Sequence, residues 1–240
     1  MTILIGDSHT RSYRLSKYFN TRLFLNEGKT QNFCTDENAS ISLKYVQLIN
    51  DIFSDKNFSY SYIVGEPDCR KIFYGTFYHE RNPNEVIKKS QIPAELTNFL
   101  VESLDKCICR FEKFIISLSK KPIVIIGPGS PNKEIFNLLV YYNSKLEIIC
   151  NNNNIWFFNP MKSSIENDLD FIGTTYKDPT LIDCVHFSSE ISHYFDEFID
   201  SNIELKNKFI SENFEFPKKS FRMDSVNFNY IELFQTHRLC

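Results

Sequence analysis

The run Ile123-Val124-Ile125-Ile126-Gly127, closed by Pro128-Gly129-Ser130-Pro131, has no polar residue to turn toward water. A strand apolar on both faces belongs in a sheet covered on both sides, the setting of parallel strands linked by helices. Four other segments read as strands: Thr2–Gly6 and residues 22–25, 58–64 and 155–158. Between and after them the apolar spacing becomes helical, over residues 11–19, 41–53, 95–119 and 188–199, and from a capping Asn132 to about Cys150. Strands alternating with helices, without internal repeats, predict an α/β fold: a three-layer α/β/α sandwich around a five-stranded parallel sheet with right-handed crossovers.

Composition narrows the function classes. The 240 residues suit one domain with an ample core. Lys and Arg number 27 against 30 Asp and Glu, interspersed, for a net charge of −3. A nucleic-acid-binding stripe would require clustered basic residues, so no nucleic-acid partner is expected. No apolar run approaches the roughly 18–20 residues needed to cross a bilayer, so no membrane partner is expected either. Residues 2–6 are needed for the first strand, so no leader is expected ahead of it. The seven cysteines are odd in number and lack the Cys-x-x-Cys spacing of zinc sites, which predicts reduced, mostly buried thiols in a cytoplasmic protein and no metal site; no cofactor is expected. Residues 1–202 read as the main domain. Residues 203–240 carry Phe209, Phe214, Phe216, Phe221, Phe228 and Phe234, and are expected to pack on that domain or on a partner.

Chemistry collects at strand ends. The first strand delivers Asp7-Ser8-His9 into a turn at its carboxyl end, where open α/β sheets place reactive side chains. Far downstream, Asp183-Cys184-Val185-His186 sets a carboxylate three residues before an imidazole. A serine hydroxyl needs a base to take its proton, and the base needs a third group to fix its tautomer. A third segment, Gly65-Glu66-Pro67-Asp68-Cys69-Arg70, follows the strand over residues 58–64.

Gly6-Asp7-Ser8, the late Asp183-x-x-His186 and Gly65-Glu66-Pro67-Asp68 resemble the SGNH (GDSL-type) hydrolase superfamily. The resemblance spans residues 1 to about 200 through short anchors. It implies a flavodoxin-like strand order 2-1-3-4-5. It also implies Ser8 as nucleophile, His186 as base, Asp183 as its orienting acid, and the Ser8 and Gly28 backbone N–H groups as oxyanion donors. Where the family usually shows Gly-x-Asn-Asp, this chain has Pro67, which removes the side-chain amide donor. The Gly-Glu-x-Asp-Cys-Arg pattern looks like a variant branch.

The implied activity is that of a serine esterase removing a small acyl group, such as acetyl, from a carbohydrate or similar polar ester. An acyltransferase with the same triad and a non-catalytic binding module on the same fold are the alternatives. Arg70 has three readings: a replacement oxyanion donor, a grip on an anionic substrate group, or an ion pair with Glu66 or Asp68. Asp7 is expected to shape the nucleophile turn by bonding backbone N–H groups. His9 is expected to turn away from the site into a rim or structural role. Residues 66–93, with Pro67, Pro83 and Pro93, read as a long irregular stretch, either a lid bringing Arg70, Tyr74, Tyr78 or His79 to substrate or a surface insertion.

Overall fold

The computed structural model describes residues 2–19, 21–25, 50, 59–79, 94–162, 186–187, 189–209 and 219–223. The segments read as strands form β1 (Thr2–Gly6), β2 (Thr21–Leu25), β3 (Ser59–Ile63), β4 (Val124–Ile126) and β5 (Trp156–Phe158), all parallel in the order 2-1-3-4-5. A sixth strand, β6 (Lys219–Met223), extends this five-stranded arrangement by pairing in parallel with β2 at the edge. Phe221, one of the six downstream phenylalanines, lies in it.

The register explains why both faces must be covered. Ile5, Tyr62, Ile125 and Phe157 are aligned across the sheet, and Gly6, Ile63, Ile126 and Phe158 form the next row. Successive residues point to opposite faces. The Tyr62 ring meets Phe111 and Phe114 of helix α2 (Ala94–Ser117), each at 5.8 Å. On the other face, Phe158 meets Phe195 and Phe198 of α4 (Ile191–Asp200), each at 5.3 Å. Helices α1 (Glu66–His79) and α3 (Phe136–Asn152) pack with α2. The short α5 (Ile203–Lys208), capped by Asn202 on Leu205 N–H, packs with α4. The result is a three-layer α/β/α sandwich.

Two local expectations fail for identifiable reasons. Residues 11–19 do not form an α-helix: Ser8–Tyr13 is a 3₁₀ helix followed by turns. The N–H groups of Leu15 and Lys17 bond to Ser192 Oγ and Asp196 Oδ2 of α4, not to carbonyls one helical turn back. Residues 66–79 are not irregular but form α1. Pro67 sits in its first turn, where a missing N–H costs nothing, and Glu66 and Asp68 favour that helix end electrostatically. The remainder of the expected lid, and the side chains of Tyr74, Tyr78 and His79, lie outside the described residues, as does nearly all of the helix read over 41–53. Asn132 caps the 3₁₀ turn Lys133–Ile135 that leads into α3, accepting the Glu134 N–H at 3.0 Å.

Phe195 is fully buried and also packs against Tyr13 at 5.6 Å and Phe19 at 5.1 Å. Truncation to alanine would empty the centre of this layer. Phe195→Ala is expected to lower unfolding free energy by about 3–5 kcal/mol in urea denaturation.

Candidate active site

Strands β1 and β3 end side by side, with Gly6 opposite Ile63, so the segments beginning at Asp7 and Gly65 leave the sheet together at its carboxyl edge. Glycine is required at both exits. A Cβ on Gly6 would lie 2.4 Å from the Ile63 carbonyl oxygen. Gly65 has φ +107°, and a Cβ there would lie 2.7 Å from the Tyr142 ring.

Asp7 then caps the 3₁₀ helix, its Oδ1 accepting the His9 backbone N–H at 2.8 Å, the shaping role expected from the sequence. Ser8 follows, and its Oγ lies 2.7 Å from His186 Nε2 across 178 residues of chain. This pair has the reach needed for proton transfer between a hydroxyl and a base. For Nε2 to accept the serine proton, the imidazole must carry its own proton on Nδ1. Asp183 and Gly28, the expected orienting acid and oxyanion donor, lie outside the described residues.

What aligns the two ends is a ladder between the segment after Ser8 and the segment after His186. Ser12 Oγ donates to the Phe187 carbonyl at 2.8 Å. Ser192 Oγ donates to the Ser12 carbonyl at 3.0 Å and accepts from Leu15 N–H at 3.3 Å. Ser16 Oγ and Lys17 N–H both bond the Asp196 carboxylate. Asp200 accepts from Lys17 Nζ and Tyr18 OH. The hydrogen bonds from Lys17, Lys206 and Tyr18 hold the Asp200 carboxyl well below the usual carboxylate range. Ser192, Asp196 and Asp200 are spaced four apart on one stripe of α4, a polar i, i+4, i+8 signal that the sequence carries within an otherwise apolar helical pattern.

Asp7, His9, Glu66, Asp68 and His186 are all buried. Such a concentration of ionisable side chains at a strand edge is characteristic of reactive sites. His9 departs from expectation. It does not turn away: it is 3% exposed and its ring lies against that of His186, with centroids 4.4 Å apart. Side-chain direction in a 3₁₀ turn does not follow strand or α-helix periodicity, so sequence position alone points the ring the wrong way. Arg70 Nε donates to Glu66 Oε1 at 3.0 Å, an i,i+4 pair within α1 and one of its three sequence readings. Among the described residues, no group of three or more His, Cys, Asp and Glu side chains is arranged to hold a metal ion, and no helix is long and apolar enough to cross a membrane.

Burial pushes the Glu66 carboxyl above its ordinary value of 4.5, against the opposing pull of His9 and Arg70. No family model matches this chain, and no curated protein matches it.

The ladder and the buried carboxyl can each be probed by one substitution. Ser192→Ala deletes a buried hydroxyl that both donates and accepts, and is expected to cost about 1–3 kcal/mol in chemical denaturation. For Glu66, the folded state binds the proton more tightly than the unfolded state. Its contribution to stability is therefore full in acid and is lost as pH rises above about 4.5 through the folded-state value. Unfolding free energy measured between about pH 4 and 7 should fall less steeply with rising pH in Glu66→Gln than in wild type.

Proposed function

We propose that this chain is a serine ester hydrolase of the SGNH type, removing a small acyl group such as acetyl from a carbohydrate or similar polar ester. The single observation that carries the reading is the 2.7 Å contact between Ser8 Oγ and His186 Nε2 at the carboxyl edge of a parallel sheet in the order 2-1-3-4-5. The short motifs along the chain support the family assignment.

In the proposed reaction, Ser8 Oγ attacks the ester carbonyl while its proton passes to His186 Nε2. The tetrahedral oxyanion forms against the Ser8 backbone N–H, which as a first-turn donor has no acceptor within its helix. Gly28 N–H is the second proposed donor. His186 then returns the proton to the leaving alkoxide, giving an acyl-serine. A water deprotonated by His186 hydrolyses this intermediate, and the proton goes back to Ser8 as the carboxylic acid departs. Asp183 is assigned to hold the imidazole by its Nδ1–H. The Arg70–Glu66 bond favours a supporting role for Arg70 over direct oxyanion contact. A reducing, cytoplasmic setting is part of this proposal, in keeping with an odd number of cysteines that lack Cys-x-x-Cys spacing.

A fluorophosphonate probe tests the assignment, because it reacts rapidly with an activated serine. Wild type should be labelled at Ser8 and Ser8→Ala should not. Ser8→Ala and His186→Ala should each lower kcat on a p-nitrophenyl acyl ester by ~10³-fold or more with the fold intact. Equal labelling of wild type and Ser8→Ala would refute the nucleophile assignment. An unlabelled wild type would favour the binding-module alternative, and acyl transfer to an added sugar in preference to water would favour the acyltransferase.

A further inference from the structure

Beside the Ser8–His186 contact lies a second imidazole that the proposed reaction leaves without a task. His9 Nδ1 is 3.0 Å from Asp7 Oδ1, the same oxygen that accepts its backbone N–H, and His9 Nε2 faces Glu66 Oε2 at 3.6 Å. Glu66 is 1% exposed and is itself held through Oε1 by Arg70 Nε. A ring with both nitrogens facing buried carboxylates on two different elements has little freedom to pivot. Its face lies on the His186 ring at 4.4 Å between centroids, with 32° between planes.

We propose that His9 is a positioning residue for His186: the chain Asp7–His9–Glu66–Arg70 fixes the second imidazole, and its ring face keeps His186 Nε2 in line with Ser8 Oγ. The proposal rests on the reading of Ser8 and His186 as nucleophile and base. The physical need is clear from the geometry of proton transfer, in which a displacement on the order of 1 Å costs about 100-fold in rate. An acid partner bonded to Nδ1 restrains one edge of an imidazole but leaves rotation about that bond open; a packed ring on its face closes it. Arg70 and Glu66 thereby contribute to the site without touching substrate.

The test uses the full-length chain as wild type, His9→Ala and Glu66→Gln, each checked for folding by circular dichroism and thermal melting. His9→Ala is expected to lower kcat on a neutral p-nitrophenyl ester by ~10–100-fold, with KM within about twofold of wild type and fluorophosphonate labelling slowed in proportion. Glu66→Gln, which loosens the His9 clamp but leaves the ring, should give a smaller loss of ~3–10-fold with the same split between kcat and KM. In ¹⁵N-histidine NMR, the His186 ring signals should shift and show increased ring motion in both variants. A folded His9→Ala with wild-type kcat and unchanged His186 signals would overturn the proposal, as would a rise in KM at constant kcat. Should His9→Ala not fold, the same outcomes in Glu66→Gln decide it. An unlabelled wild type would remove the esterase reading alone, because the NMR signals report the hold of His9 on His186 independently of turnover.

Discussion

The bonds that tie the segment after Ser8 to the segment after His186 are the constraint on which the site depends. A hydroxyl and an imidazole from opposite ends of the chain meet only if the two backbones are in register. Ser12, Leu15, Ser16 and Lys17 on one side, and Phe187, Ser192 and Asp196 on the other, set that register through hydrogen bonds, the innermost of them buried. The same bonds draw backbone donors away from helical partners, so Ser8–Tyr13 is a tight 3₁₀ turn and not the start of a longer helix. Local irregularity and long-range alignment are thus one phenomenon. The aromatic layer of Tyr13, Phe19, Phe158 and Phe195 lies under the ladder and supplies the apolar burial that a row of hydrogen bonds could not supply by itself.

Electrostatics at the strand edge follow from the same crowding. Asp7, Glu66 and Asp68 are all buried at the ends of neighbouring strands, an arrangement that would be strongly unfavourable without counter-groups. His9 supplies one by standing between Asp7 and Glu66, and Arg70 supplies another from the next turn of α1. With its side chain 37% exposed, Arg70 can neutralise buried Glu66 while keeping part of its own hydration. The burial that raises the Glu66 carboxyl is therefore only partly offset, and its proton is held more tightly than on an ordinary surface glutamate.

The five strands β1 to β5 were legible in the sequence, most clearly where a continuous apolar run such as Ile123 to Ile126 has few alternatives to burial on both faces, whereas β6 was not. The long helix α2 was legible for a related reason, its apolar stripe persisting over many turns. α1 was obscured by prolines: three within residues 66–93 suggest a loop, although the first is compatible with a helix start. Within the site, Ser8 and His186 could be named from their motifs, but their contact is a tertiary fact created by Ser192 and Asp196. His9 shows the limit most clearly. Its role depends on ring orientation relative to Glu66, a residue far along the chain on another element, and no local pattern encodes that orientation.

The pairing of β6 with β2 carries a consequence for how the chain reaches this structure. Lys219–Met223 joins a strand formed by Thr21–Leu25, so this rung of the sheet can be laid down only after a long stretch of polypeptide has left the ribosome. Until then β2 presents an open row of N–H and C=O groups, the kind of edge that recruits strands from other molecules. Closing so long a loop is slow, because its entropy must be lost before the new hydrogen bonds compensate. Docking of the downstream segment thus pairs the β2 edge and moves the outer edge of the sheet to β6, so the period before it docks is when β2 is most exposed to mispairing.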